Sequence, residues 1–315
     1  MKWEAITGAV DIGGTKVAVA VTDGNGRILA QRECPTSAGE GFDAAMGRVS
    51  TMLKACQQEC GRALTGIGIG CTGPVDPFSG AIGIVEFLPG WEGRNPVETL
   101  SQAFGVTVAM ENDADAAALG EAYWGAGAGK STVICVTVGT GIGGGIIHEG
   151  KLYRGVDRAH PELGHHVLDP NGPSCFCGAE GCWEVLAAGP AMAVWALEHA
   201  PTEWPHRTGL SAKRLCELAS TGDALALRAV AREGFYLGLG IANLVTLYTP
   251  DMIVLGGSVL RSAALFMPAI HARVARNCGL VPHEKTQIAL ATLGPDAGLI
   301  GAAGAWHHRF TEHGD

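Results

Sequence analysis

The sequence predicts an α/β fold in two related halves, and three observations carry that prediction. A strand, a glycine turn and a second strand open the chain between Ile6 and Thr22. The same design returns at Thr132–Val138 and Ile142–His148. Each pair is followed by alternating helical and strand patterns. A length of 315 residues fits about two domains, and 47% apolar against 17% charged residues supplies a buried core.

In chain order, Ile6–Ile12 is apolar, Gly13 and Gly14 make a turn, and Val17–Thr22 resumes the strand. The run Asp23-Gly24-Asn25-Gly26 turns the chain into a strand at Arg27–Arg32. Phe42, Ala45, Met46, Val49, Met52, Leu53 and Cys56 recur at helical spacing. Gly66–Cys71 reads as a buried strand ending at Gly73-Pro74. Val106–Met110 reads as a strand leading into the alanine-rich helix Ala114–Trp124. After the second hairpin, Gly150–Gly189 has little periodicity and is rich in Gly, Pro, His and Cys, the composition of irregular functional structure. Helices are then expected over 190–199, 211–219, 223–248 and 260–277, with strands at Met252–Leu255 and Thr286–Thr292 and a last helix at Ala297–Phe310.

Composition narrows the function. With 22 Lys+Arg against 31 Asp+Glu the net charge is −9, which argues against a nucleic-acid surface. The first ten residues carry no secretion pattern, and the longest uncharged windows, Ser131–Ile147 and Gly234–Pro250, fall short of a membrane span. Most of the ten cysteines are scattered singly, which fits a reducing cytoplasm. Three crowd into Cys175–Cys182, where a metal is the better reading than a disulfide.

Two familiar phosphate motifs fail on context. Gly139-Thr140-Gly141-Ile142-Gly143-Gly144 matches G-x-G-x-x-G, but a strand follows where a dinucleotide site needs a helix. Gly129-Lys130-Ser131 resembles the end of a P-loop, yet Trp124 stands at its first glycine and the segment leads into a strand. What remains is Asp11-Ile12-Gly13-Gly14-Thr15-Lys16 and Gly139–Gly145, each between strands. Glycines in such turns let several backbone N–H groups converge on phosphate oxygens, and Thr15 and Thr140 add hydroxyls. Asp11 supplies an oxygen ligand suited to hydrated Mg²⁺. Either hairpin alone reads as an ordinary turn; the pair reads as a phosphate site.

Asn112 and Asp113 stand where a strand runs into a helix, and taken alone they are N-caps. An enzyme moving a phosphoryl group to a hydroxyl also needs a carboxylate to take the proton, and Asp113 suits that role if its side chain faces a cleft and not its own helix. The segment His160-Pro161-Glu162-Leu163-Gly164-His165 is followed by Cys175-Phe176-Cys177-Gly178-Ala179-Glu180-Gly181-Cys182-Trp183-Glu184. Three thiolates and one imidazole fill the tetrahedron of a structural zinc site, with His160, His165 and His166 all near enough to be the fourth ligand. Gly178 and Gly181 permit the tight turn such a knuckle needs.

In this order these features resemble the ROK family of repressors, open reading frames and kinases, and within it the ATP-dependent glucokinases. The resemblance spans nearly the whole chain. It takes in the two glycine turns, Gly73-Pro74-Val75-Asp76, Glu111–Glu121, Glu162–His165, Cys175–Glu184 and the loop Val254-Leu255-Gly256-Gly257-Ser258. It implies a two-lobed, actin-like (ribonuclease H-like) sugar kinase fold with a zinc knuckle. The lobes are expected at 1–112 plus 298–315 and at 113–297. It also implies that Asp113 is the general base and that Gly73, Asn112, Glu162, His165 and Glu184 bind the sugar. ATP and Mg²⁺ would be held by Asp11, Gly13, Gly14, Thr15, Lys16, Gly139, Thr140, Gly141, Gly256 and Gly257. Structural zinc would be held by His165, Cys175, Cys177 and Cys182.

The activity implied is transfer of the γ-phosphate of ATP to the 6-hydroxyl of glucose, in a cytoplasmic homodimer. The alternatives are other hexoses or N-acetylhexosamines, or a sugar sensor without catalysis. Family repressors carry a helix-turn-helix ahead of the phosphate loop, and the ten residues before Asp11 leave no room for one, so DNA binding is not expected. Three positions depart from the family pattern: Asp115 replaces an Asn, Pro161 replaces a Gly or Ala, and His160 adds an imidazole beside the expected sugar site.

Overall fold

The computed structural model describes residues 4–311. The chain divides into two compact units. The first comprises Met1–Gly129, Gly145–Tyr153 and Thr292–Asp315, and the second Lys130–Gly144 and Arg154–Ala291.

The first unit is built on a five-stranded sheet of β1 (Thr7–Ile12), β2 (Lys16–Thr22), β3 (Ile28–Pro35), β4 (Gly66–Cys71) and β5 (Thr107–Asn112), in the order β3-β2-β1-β4-β5. β1, β2 and β3 pair antiparallel, whereas β1, β4 and β5 run parallel. Helix α1 (Phe42–Cys60) buries the periodic residues read from the sequence, Cys56 and Leu53 among them, in the core beside Val10, Ile67 and Ile69, with Met52 only partly covered. A short helix α2 (Pro96–Phe104) precedes β5, its N-cap Asn95 accepting the Glu98 N–H at 2.9 Å. The sequence reading has no element there, because nine residues beginning at a proline give little periodicity.

Helix α3 (Asp113–Trp124) begins where β5 ends, and the last helix, α9 (Ala297–Phe310), packs against both α3 and the sheet. That contact explains why α3 groups with the first unit, whereas the expected lobes divide before Asp113. The contact is backbone-close: a Cβ on Gly68 would sit 1.8 Å from the Ala302 carbonyl, and one on Gly301 would sit 2.2 Å from that of Ala116. Small residues on these elements are therefore demanded by packing.

The second sheet has the order β10-β9-β6-β7-β8, with β6 (Thr132–Val138), β7 (Ile142–His148), β8 (Lys151–Leu152), β9 (Met252–Gly256) and β10 (Gln287–Leu290). The division between units falls inside β7, after Gly144. The second unit carries α4 (Trp183–Ala187), α5 (Gly189–His199), α6 (Ala212–Ser220), α7 (Ala224–Tyr248) and α8 (Met267–Asn277). The single helix expected over 260–277 is two pieces, a 3-10 stretch at Val259–Leu265 and then α8. Pro268 lies at the head of α8, and having no N–H and a ring that clashes with the preceding turn it prevents one continuous helix.

The second unit also holds an isolated buried acid. Glu233 on α7 is 0% exposed, and neither carboxyl oxygen has a hydrogen-bond partner among the described residues. Burial pushes its pKa well above the usual carboxylate range, against a weaker opposing pull from Arg232. Glu233→Leu is therefore expected to stabilise the protein by about 1–3 kcal/mol, the cost of an unpaired buried polar group. Because the folded pKa is raised, the acid is tolerated at low pH and costs stability as pH rises through its folded value. The advantage of the variant should widen in the same direction, which thermal melts at several pH values would read.

Candidate active site

The parallel register of β1, β4 and β5 brings the first unit's expected residues to one sheet end. Asp11 pairs with Gly70, which pairs with Glu111, and one step on Ile12, Cys71 and Asn112 align. Carboxyl ends of parallel strands are where α/β sheets bind ligands. The Asn112 Oδ1 accepts the Ala114 N–H at 2.9 Å, capping α3, and a Cβ on Gly73 would meet the Asn112 Nδ2 at 2.7 Å. Asp113 is exposed, and its Oδ1 shares the same Ala114 N–H at 2.8 Å. Both capping and an outward carboxylate are thus present at one helix start. By contrast Asp115 is 1% exposed.

Asp11 and Asp113 influence each other. Burial first, and then the Asp113 charge, raise the Asp11 pKa to about 6, with Lys16 pulling the other way. Burial first, and then the Asp113 and Asp11 charges, push the Cys71 thiol up. A Cβ on Gly298, in the first turn of α9, would lie 2.4 Å from Asp11 Oδ2, so glycine there makes room for the carboxylate. Stability carried by Asp11 is full below its ordinary value of 3.8 and lost as pH rises through about 6. A magnesium–nucleotide complex held at Asp11 would pair with the ionised form. Its thermal stabilisation should therefore grow between about pH 5 and about pH 7, and Asp11→Asn should flatten that growth.

The glycine turns are each closed by their first residue. Gly13 N–H donates to the Lys16 carbonyl and Gly139 N–H to the Gly141 carbonyl, both at 2.9 Å. Beside the first turn, Gly14 lies against Phe87, and the Thr15 carbonyl accepts the Thr36 N–H at 3.0 Å. Lys16 Nζ reaches Glu33 at 2.9 Å in an exposed pair, which contributes little to stability.

In the second unit, Gly257 (φ 96°) approaches the chain so closely that a Cβ would lie 2.3 Å from the Val138 carbonyl, and Gly256 ends β9 beside Ala291. The turn at Gly139 and the loop after Gly257 therefore come together. Both Gly139 and Thr140 line a cavity of about 840 Å³ with Ala193, Leu197, Cys216, Ser258 and Arg261. Its volume is in the range of small-molecule sites. Helices α5 and α6 supply most of its apolar wall, a role the sequence reading did not give them. Helical periodicity shows which face is apolar, not where two helices leave space between them.

His165, Cys175, Cys177 and Cys182 gather with their ligand atoms all within 4.8 Å of one another. The Cys175 Sγ lies 3.5 Å from His165 Nδ1, and Cys177 Sγ lies 3.5 Å from Cys182 Sγ. A zinc tetrahedron with bonds of about 2.0–2.3 Å has edges of roughly 3.5–3.8 Å, so the donor set and spacing fit that ion. Gly178 and Gly181 have φ of 94° and 65°, the left-handed turns expected of them. His166 is not in the cluster: its Nδ1 lies 2.6 Å from the Leu163 carbonyl, and burial lowers its pKa. Nor is His160.

Glu162 is exposed just before the 3-10 turn Leu163–His165, and its carbonyl accepts the His165 N–H at 3.0 Å. Glu184, in the first turn of α4, does something unforeseen. Its Oε2 accepts the Ile142 N–H at 2.8 Å, and a Cβ on Gly141 would lie 2.4 Å from that oxygen. The segment carrying the His/Cys cluster is thereby hydrogen-bonded to the second glycine turn.

Paired strand–glycine–strand turns, a carboxylate at a strand-to-helix mouth and a His/Cys cluster able to hold a metal belong to a mixed α/β sugar kinase fold. The chain is a member of the ROK family, whose model matches residues 7–309. It is 33% identical over 313 residues to a glucokinase of Streptomyces coelicolor, covering 95% of this chain and 96% of that protein. A ROK hexokinase structure from Thermus thermophilus superposes with a TM-score of 0.84 at 35% identity, covering 96% of this chain and 98% of the other. A ROK family glucokinase from Streptomyces griseus, in complex with glucose and AMPPNP, gives 0.75 at 33% identity over 95% and 98% of the two chains. Among the described residues no helix is long and apolar enough to cross a membrane.

Proposed function

We propose that the protein is an ATP-dependent glucokinase that phosphorylates the 6-hydroxyl of glucose. The observation that carries this reading is the pairing of Asp113 with Asp11. An exposed carboxylate able to take a hydroxyl proton stands within electrostatic reach of the half-buried carboxylate that precedes the first glycine turn. The Streptomyces griseus relative binding glucose and AMPPNP supports the choice of both substrates.

In this reading Asn112, Glu162, His165 and Glu184 hold the sugar hydroxyls, with Gly73 contributing from its loop. Two carboxylates and an amide can accept and donate at once, and a sugar that leaves them unpaired binds poorly. Asp113 accepts the proton of the 6-hydroxyl as its oxygen attacks the γ-phosphate. The turns at Gly13–Lys16 and Gly139–Gly141 orient the phosphates, and the cavity beside Gly256 and Gly257 takes the nucleoside. Asp11 would hold magnesium, which would supply positive charge against the phosphates. The Cys₃His cluster is a zinc knuckle whose four ligands leave no open position, so it holds the loop bearing Glu162 and Glu184 in shape.

Other hexoses and N-acetylhexosamines are the second reading, favoured by Pro161 and His160 beside Glu162, which alter the backbone and polarity of that rim. A coupled assay of ADP release against a panel of hexoses and N-acetylhexosamines tests both. Glucose should give the highest kcat/KM, and a better N-acetylhexosamine would replace the substrate while keeping the chemistry.

A further inference from the structure

Glu121 lies on α3, the helix that begins with Asp113, and is only 3% exposed. Four donors from two separate segments converge on its carboxylate. Ala126 N–H reaches Oε2 at 2.8 Å, and the Thr292 hydroxyl reaches it at 3.3 Å. Thr292 and Leu293 N–H groups both reach Oε1 at 2.9 Å. The Glu121 carbonyl takes two more, from Gly125 at 3.1 Å and Gly127 at 2.9 Å. A Cβ at Gly125 would come within 2.1 Å of Oε2, so the chain can pass this closely only as glycine.

The two segments share one property. The first unit runs to Gly129 before the chain passes into the second, and it resumes at Thr292 after Ala291. Glu121 therefore holds the first-unit ends of two connections between the units. Capping does not require this, because the Gly125 N–H already closes α3 on the Glu121 carbonyl. Burying a carboxylate is costly unless its oxygens are engaged, and here both are.

We propose that Glu121 is a positioning residue for phosphoryl transfer. It ties both connections to the helix that carries Asp113, so that the base keeps a fixed register with the chain segments leading to the second unit's phosphate and sugar groups. The inference rests on the sugar kinase reading above.

The test is Glu121→Gln, which keeps the side chain's size but turns an amide NH₂ toward N–H and O–H donors. Hydrogen exchange at Ala126, Thr292 and Leu293 should accelerate. Turnover should fall on the order of 10- to 100-fold, the penalty of slight misalignment, with KM for glucose and for ATP within about threefold of the parent. Glu121→Asp keeps the charge but retracts it, and should fall between; it decides by the same criteria if Glu121→Gln does not fold. A folded variant with unchanged exchange, or with loosened amides and the parent's kcat, overturns the proposal. Exchange needs no turnover, so the two readings fail differently. An inactive parent whose Glu121→Gln variant still loosens these amides removes the kinase reading alone.

Discussion

Asp113→Asn is expected to lower kcat by roughly 10²–10⁴-fold, the usual contribution of a positioned general base, while glucose binds nearly as before. The amide keeps an oxygen to share the Ala114 N–H at the head of α3, so the cap survives and only the proton acceptor is lost. Removing the charge beside Asp11 should also let that pKa fall from about 6, since Asp113 is one of the two influences raising it. Asp115→Asn is the control, because Asp115 is buried at 1% exposure and does not offer its carboxylate to solvent. Steady-state kinetics with calorimetric glucose binding check both variants. Near-normal turnover in Asp113→Asn, with loss in Asp115→Asn, would assign the base to the other carboxylate.

The second large effect is expected from the metal site. Elemental analysis should find about one zinc per chain, the stoichiometry of a Cys₃His site. Cys177→Ser weakens one ligand of the four and loosens the segment from Glu162 to Glu184. KM for glucose should rise on the order of 10- to 100-fold. Sequence alone suggests that nucleotide affinity would be spared, since the glycine turns lie outside that segment. The bond from Ile142 N–H to Glu184 Oε2 changes the expectation, because it links the loop to the Gly139 turn. A smaller rise in the nucleotide Kd should accompany the change in glucose KM. Structural zinc also contributes folding free energy, so a thermal melt must show the variant folded before the kinetics are read. A folded, zinc-free variant with the parent's KM would remove the knuckle from sugar binding.

Much of this was legible in the residues. Both hairpins follow from apolar strands broken by glycines, and β6 and β7 have the expected bounds, Thr132–Val138 and Ile142–His148. The cysteine spacing by itself points to a metal. The histidine did not follow from spacing, since three were near; the resemblance gave His165, and folding is what gathers it with the cysteines. Other features needed three dimensions. Asp11 and Asp113 are far apart in the chain and become neighbours only through the register of β1, β4 and β5. The space between α5, α6 and the loop after β9 leaves no periodic trace. Glu121 ends the Glu111–Glu121 run in the sequence, and its four donors come together only in the fold.

Transfer of the γ-phosphate of ATP to the 6-hydroxyl of glucose is the reaction proposed for this chain. Phosphorus NMR of the purified protein with glucose, ATP and magnesium tests it most directly. A phosphomonoester signal at carbon 6 of glucose, growing one for one with ADP, is the expected result. ADP accompanied by inorganic phosphate, with no sugar phosphate formed, would contradict it.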